Sequence, residues 1–481
     1  MTSERSLRGY LWLATIALGA GLMLMALLGF YNRYWSDDWC YERDLDQLGV
    51  LGTLSGYFFT GDDAVRGYST NRYSLTLITA LLHLLGMPGT QLVASLLVAG
   101  LTCGIFAASG PLFHGMPEAR YVRILLSLVV AFFTLAASTA RFQVLYWRAG
   151  IHYTTTIIVG LFMLAIILRY GRVSAPPWIA YAGLTILGLF GGGLSETGCV
   201  YLTGAFATVA LVAGWARRHR PGSEGKTLEL AAVAAGALLI AMLALILSPS
   251  NDRYRVHVDY PIAPFMVPFA ALEFAGAFIR SSLLGLPLPH AAVLASSFFF
   301  AILATRLHPA PSWAPIQTIV MRLMWAAFLA FFLITLIQIP AAYFYGAPLD
   351  ARGQSLSRFT MLALLAVVGW SVGRGIAPRG PTWLLNLSIL ATLAFSAYSV
   401  RFSVTIFGEL DGFVHRAALW DARDAHIRMA VASGQTHIEV PVIDTHQIGT
   451  RDLIRSIVMD EWATNCATEY YGAAAFRAIP P

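Results

Sequence analysis

A chain of 481 residues that is 57% hydrophobic and only 12% charged is excluded as an ordinary water-soluble protein, in which about a quarter of residues carry charge. Its formal charge of +6 and pI near 9.2 do not point to nucleic acid, because Lys and Arg fall in short clusters between apolar runs and form no basic face. The composition is that of an all-α polytopic membrane protein.

Taken in order, residues 10–30 form an apolar stretch about long enough to cross a bilayer upright. Tyr31, Asn32 and Arg33 follow without a small-residue cleavage site, so the stretch reads as a retained anchor and not as a signal peptide. Arg5 and Arg8 precede it, which puts the N-terminus in the cytoplasm and the next segment outside. That segment, 31–71, is net acidic: Asp37, Asp38, Glu42, Asp44, Asp46, Asp62 and Asp63 face only Arg33, Arg43 and Arg66.

Residues 73–85 are too short to cross upright and read as an interfacial or re-entrant helix. Arg217, Arg218, Arg220 and Lys226 make the strongest basic loop, expected in the cytoplasm. Alternating sides backwards from there closes only if 73–85 does not cross. Residues 264–284 are interrupted by Pro264, Pro268, Glu273 and Arg280, so their first part is expected to be a second interfacial helix. The remaining spans are expected near 90–112, 124–141, 154–170, 178–194, 197–215, 229–248, 289–305, 318–339, 359–376 and 383–400, giving about eleven crossings with the first. Arg306, Arg374 and Arg379 then fall inside, and the C-terminus outside. From about 401 to 481 the composition turns soluble, with helical spacing at 420–433 and strand-like alternation at 437–443. The chain therefore divides into a membrane domain, 1–400, and a small extracytoplasmic α/β segment, 401–481.

Candidate chemistry gathers in the outer connections. Asp37 and Asp38, between Trp35 and Trp39, can supply a general base or hold a divalent metal, hard cations preferring carboxylate oxygens; the alternative is a helix cap. Neighbouring helical residues diverge, so one of the pair points into a site, and Asp38 is the choice. Arg253 and Arg255, after Pro249, Ser250 and Asn251, suit a phosphate clamp because guanidinium forks match phosphate oxygens; pairing with headgroups or with Asp252 and Asp259 is the plainer reading. Arg352 and Arg358 carry the same two readings. Trp147, Arg148 and His152 combine an aromatic face, a cation and a turn suited to a sugar ring, or an interfacial belt. Glu196 needs an arginine partner beside the membrane. Cys40 and Cys466 fall on one outer side, where either a disulfide or two free thiols is open. The histidines show no metal-ligand spacing and no Gly-rich phosphate loop follows a strand, so neither a zinc site nor a nucleotide fold is assigned.

These residues resemble the GT-C superfamily of membrane glycosyltransferases, which includes protein O-mannosyltransferases and lipid A aminoarabinose transferases, and more closely a group of uncharacterised bacterial GT-C-like proteins. The pattern is an Asp-Asp-aromatic-Cys start (Asp37, Asp38, Trp39, Cys40), an early Arg (Arg72 after Asn71), a Trp-x-x-Gly-x-x-Tyr loop (Trp147, Gly150, Tyr153), a Pro-Gly-Asn-x-x-Arg-like loop, and a C-terminal segment running from Trp462 to Gly472. Ser250 departs from the glycine of that fourth motif. The resemblance implies inverting transfer of a sugar from a polyprenyl-phosphate donor to an envelope glycan or lipid in the bacterial inner membrane. Asp37 or Asp38 would act as base and outer-loop arginines would hold the donor phosphate. A lipid-linked glycan flippase and an envelope polysaccharide polymerase or ligase are the rival readings; a flippase needs charges along the bundle, and the spans hold few.

Overall fold

A computed structural model describes residues 4–59, 70–113, 120–219, 225–251, 262–307, 316–377, 381–443 and 461–479. The first half comprises α1 (Glu4–Leu28), α2 (Asp38–Phe59), α3 (Tyr73–His83), α4 (Met87–Ala108), α5 (Arg120–Ala136), α6 (Arg141–Leu145), α7 (His152–Tyr170), α8 (Trp178–Gly192), α9 (Glu196–His219) and α10 (Thr227–Leu247). The second half comprises α11 (Val267–Gly285), α12 (Pro287–Leu307), α13 (Ile316–Tyr345), α14 (Gln354–Ile376), α15 (Thr382–Phe407), α16 (Leu410–Ala432), β1 (His437–Pro441), α17 (Glu461–Tyr471) and β2 (Ala475–Ile479). Among the described residues, ten helical runs are long and apolar enough to cross a membrane. The protein is therefore an all-α, multi-pass membrane protein.

Helix directions follow from close contacts. Gly369 and Gly373 on α14 lie so near Leu294 O and Phe298 O of α12 that a β-carbon would come within 2.3 and 2.2 Å. Only glycine lets these backbones approach, and the matching order of residues makes the two helices parallel. Gly188 and Gly192 of α8 meet Ala237 and Ala241 of α10 in the same sense. One end of the bundle, the motif end, holds residues 32–48, the turn before α7, the starts of α9 and α14 and the end of α10. Arg123, Arg169, Arg172, Arg217, Arg218, Lys226, Arg306 and Arg374 lie at the other. There Arg374 Nη1 donates to Leu112 O at 3.1 Å and Lys226 N to Gly171 O at 2.7 Å.

Two sequence expectations change in detail. The helices expected at 124–141 and 178–194 are only 17 and 15 residues long, whereas the run from Pro264 to Gly285, expected at the interface, has 22 residues and enters the set of ten. Its prolines do not interrupt it: Pro264 and Pro268 occupy first-turn positions, where the missing N–H costs nothing, and Pro287 and Pro289 begin α12. Both α11 and α12 nevertheless run away from the motif end, α11 along α13 with Ala271 by Ala342 and Phe278 by Ile334. Together they change sides once, so the expected alternation is kept. Helix α3 starts with its Tyr73 hydroxyl donating to Leu189 O at 2.7 Å and ends with His83 beside Glu42. Both of its ends lie at the motif end, and it does not cross.

The segment expected as an acidic loop is helical from Asp38 to Phe59, with a kink at Gly49 (φ +68°), a conformation glycine adopts without strain. The C-terminal part packs directly on its start. Trp39 stacks on Trp420 at 5.7 Å and 12°, Arg33 forks onto Asp421 at 2.6 and 2.7 Å, and Cys40 and Cys466 form a disulfide. Of the two readings open for these cysteines, the disulfide is the one observed. Strands β1 and β2 pair in parallel, His437 opposite Ala475. Of this small sheet the sequence indicated only the first strand.

Candidate functional site

The turn before α2 sets the acidic motif. Ser36 takes a left-handed conformation (φ +54°), which costs a non-glycine residue roughly 1–3 kcal/mol and persists only where surroundings enforce it. Its hydroxyl donates to Asp37 Oδ1 at 2.8 Å. Asp37 is half-buried while Asp38, the first residue of α2, is 1% exposed. Asp38 Oδ2 accepts the Trp35 N–H at 3.0 Å, and its buried Oδ1 accepts no hydrogen bond. Burial pushes the Asp38 carboxyl up to about 7, against the lowering effect of Arg148. The two neighbouring carboxylates thus diverge across the turn into α2, and Asp38 is the inward one.

One turn along the same face of α2, Glu42 completes an enclosed charge cluster. Arg148 is fully buried and donates to Glu42 Oε1 at 2.5 Å and Thr79 O at 2.8 Å. Burial works against its charge, but Glu42 and Asp38 outweigh that and raise its pKa. Glu42 Oε2 also accepts the Tyr34 hydroxyl at 3.0 Å and meets His83 Nδ1 at 3.0 Å. Sequence reasoning missed Glu42, Tyr34 and His83. The spacing of Asp38 and Glu42, four residues apart on a helix, was the signal available; His83 carried none, since only metal-ligand spacing singles out a histidine by sequence.

A second assembly is open. A cavity of about 330 Å³ is lined by Arg72, Tyr153, Glu196, Tyr345, Asp350 and Arg352, among others. Arg72 is placed by Asn71, whose amide donates to Asn251 Oδ1 at 2.9 Å. Asn251 in turn donates to Leu245 O at 2.7 Å and Ile246 O at 3.1 Å, so it ties off the last carbonyls of α10. Glu196, at the start of α9, has the expected arginine partner: its Oε2 lies 3.4 Å from Arg72 Nε. Arg352 Nε donates to Asp350 at 2.5 Å, and its guanidinium carbon sits 4.8 Å over the Trp147 ring. His152 is buried behind this wall, its Nδ1 2.8 Å from Ala149 O and its Nε2 without a partner.

The two assemblies meet at a pair of tryptophans. Trp35 packs edge-on to Trp147 at 4.9 Å; its backbone N–H holds Asp38, and Arg352 lies over the Trp147 ring. Arg72, Glu196 and Arg352 are thus brought together, and Asp38 and Arg148 are brought together, the two groups linked through the Trp35–Trp147 contact. Arg358 is not in the cavity: it is buried in α14, where its Nε and Nη1 have no hydrogen-bond partner. Arg253 and Arg255 lie outside the described residues. Among the described residues, no three His, Cys, Asp or Glu side chains gather as a metal site. No protein-family model matches this chain, and no curated protein matches it either.

Proposed function

We propose that the protein is a GT-C-type inverting glycosyltransferase that moves a sugar from a polyprenyl-phosphate donor to a glycan or lipid acceptor of the cell envelope. The observation that carries this reading is the cavity at the motif end, where two arginines from distant connections, Arg72 and Arg352, face one hollow next to apolar helices. Partly exposed guanidinium groups can exchange their carboxylate partners for a phosphate, gripping it through paired N–H donors. An isoprenoid tail would remain among the helices while the sugar reaches the polar end.

In this reaction Asp38 takes the proton of the acceptor hydroxyl. The acceptor oxygen attacks the anomeric carbon from the face opposite the phosphate, the carbon–oxygen bond to the phosphate breaks, and polyprenyl phosphate leaves with the electron pair, its charge held by Arg72 and Arg352. Asp38 has a carboxyl raised to about 7 and an oxygen without a hydrogen bond, which suit a general base at neutral pH. Contact with substrate requires Trp35 and Trp147 to part when the cavity fills. The arginines and Lys226 described at the basic end favour, by the positive-inside rule, an N-terminus in the cytoplasm, with motif end, cavity and C-terminal segment outside the bacterial inner membrane.

The test is transfer from a polyprenyl-phosphate monosaccharide by the full chain in liposomes. Wild type transfers sugar, Asp38→Asn does not, and Arg352→Ala raises the donor concentration needed. Transfer from an oligosaccharide-pyrophosphate lipid instead would make the protein a polymerase or ligase, and movement of the lipid without transfer would make it a flippase.

A further inference from the structure

A base enclosed as completely as Asp38 has to lose its proton before it can act again, and the buried face around it offers few exits. Arg148, the cation beside it, carries a guanidinium that does not release a proton in proteins. Glu42, one turn along α2, faces the same guanidinium and touches His83. His83 is the one group of the cluster that reaches outward: its Nδ1 lies 3.0 Å from Glu42 Oε2 and its Nε2 lies 3.6 Å from Asp46 Oδ1. The Glu42 side chain is 4% exposed, that of His83 20% and that of Asp46 55%. Burial therefore falls stepwise from the acid cluster to water along three side chains.

We propose that Glu42, His83 and Asp46 form the proton exit from Asp38, with His83 as the shuttle. This deepens the reading above and rests on Asp38 being the base. Glu42, four residues along α2 and so a neighbour of Asp38 on the same helix face, receives the proton that Asp38 took from the acceptor, and His83 accepts it at Nδ1 while giving up the Nε2 proton to Asp46 or to water beside it. An imidazole can do this because one ring nitrogen accepts while the other donates. The ring then returns to its starting tautomer, and no proton is gained or lost over the cycle. The other groups facing the path do not compete. The Tyr34 hydroxyl donates to Glu42 and burial holds its proton firmly. Tyr470 of α17 faces Glu42 and Asp46 with its proton also held more firmly than usual by burial.

The experiment needs no sugar substrate. A rapid pH jump on the full-length protein, followed by infrared absorption of the protonated carboxyl, reports how fast Asp38 exchanges its proton; the band is assigned by its loss in Asp38→Asn. Removing a positioned proton-transfer group costs about a hundredfold or more, so His83→Gln slows the exchange about a hundredfold, and added imidazole restores it. Asp46→Asn, at an exposed position that leaves folding intact, slows it as well and carries the test if His83→Gln does not fold. Exchange at the wild-type rate in a folded His83→Gln or in Asp46→Asn overturns the proposal, as does failure of imidazole to rescue. A broken path leaves the glycosyltransferase reading standing, and an intact path in a protein without transfer activity refutes only that reading.

Discussion

The same kinds of side chain are used twice at the motif end, in opposite ways. Asp38, Glu42 and Arg148 are enclosed, their partners fixed by α2, α3 and the disulfide-bonded C-terminal segment; Arg72, Glu196 and Arg352 line an open cavity, where the two arginines pair with carboxylates that are themselves partly exposed. An enclosed charge gains position and a displaced pKa, at the cost of losing heavily if a partner is removed. An open charge contributes little to folding and can exchange its partner for a ligand. The contrast separates a rigid chemical group from a binding surface within one end of one bundle.

The sharpest way to break this contrast is to remove one enclosed partner. Arg148→Met leaves Glu42 and Asp38 buried without their cation and is expected to cost about 3–5 kcal/mol, read as a lower melting temperature and reduced yield. The next test is pH. The Asp38 carboxyl sits near 7 in the fold against 3.8 when exposed, so its contribution to stability is complete below 3.8 and is lost as pH rises through about 7, a loss on the order of 4 kcal/mol. Asp38→Asn removes that slope and makes the protein more stable than wild type at pH 8, although transfer is abolished. On the proposed function, transfer by wild type is expected to rise as pH increases through about 7, where Asp38 loses its proton.

Smaller effects follow for the cover and for the open cavity. Replacing Cys40 and Cys466 together by serine removes the bond that ties α17 to α2, and costs about 2–4 kcal/mol, measured by thermal unfolding without reductant. Arg352→Ala, by contrast, changes stability by less than about 0.5 kcal/mol yet weakens binding of a polyprenyl phosphate roughly tenfold to a hundredfold. Equal destabilisation by Arg352→Ala and Arg148→Met would erase the distinction between the two assemblies.

Much of the fold is legible in the sequence because a bilayer imposes strict rules on length and charge. The anchor, the non-crossing 73–85 helix and the alternation of sides follow from counting apolar residues and arginines. What composition does not show at 264–285 is that the prolines open helices and do not break them, a matter of position within a turn; the expected alternation is unaffected. At the site, the Arg72–Glu196 pair and the Cys40–Cys466 bond join residues distant in sequence; topology calls for an arginine beside Glu196 without saying which, and leaves the disulfide as one of two readings. That only one of the two carboxylates turns inward is expected, and Asp38, the one chosen, is the buried one, although nothing in the local sequence favours it over Asp37. The tryptophan wall and the Glu42–His83 contact were not legible, because they depend on how α2 and α3 lie across the bundle end, and no local pattern encodes that.

The central claim is that the hollow between Arg72 and Arg352 receives the phosphate of a lipid-linked sugar. A structure of the full chain with a bound polyprenyl-phosphate analogue tests it most directly. The account predicts the phosphate within hydrogen-bonding distance of both guanidinium groups, with Trp35 and Trp147 parted and Asp38 facing the sugar. A phosphate bound away from both arginines, with Asp38 still sealed behind the two rings, would contradict it.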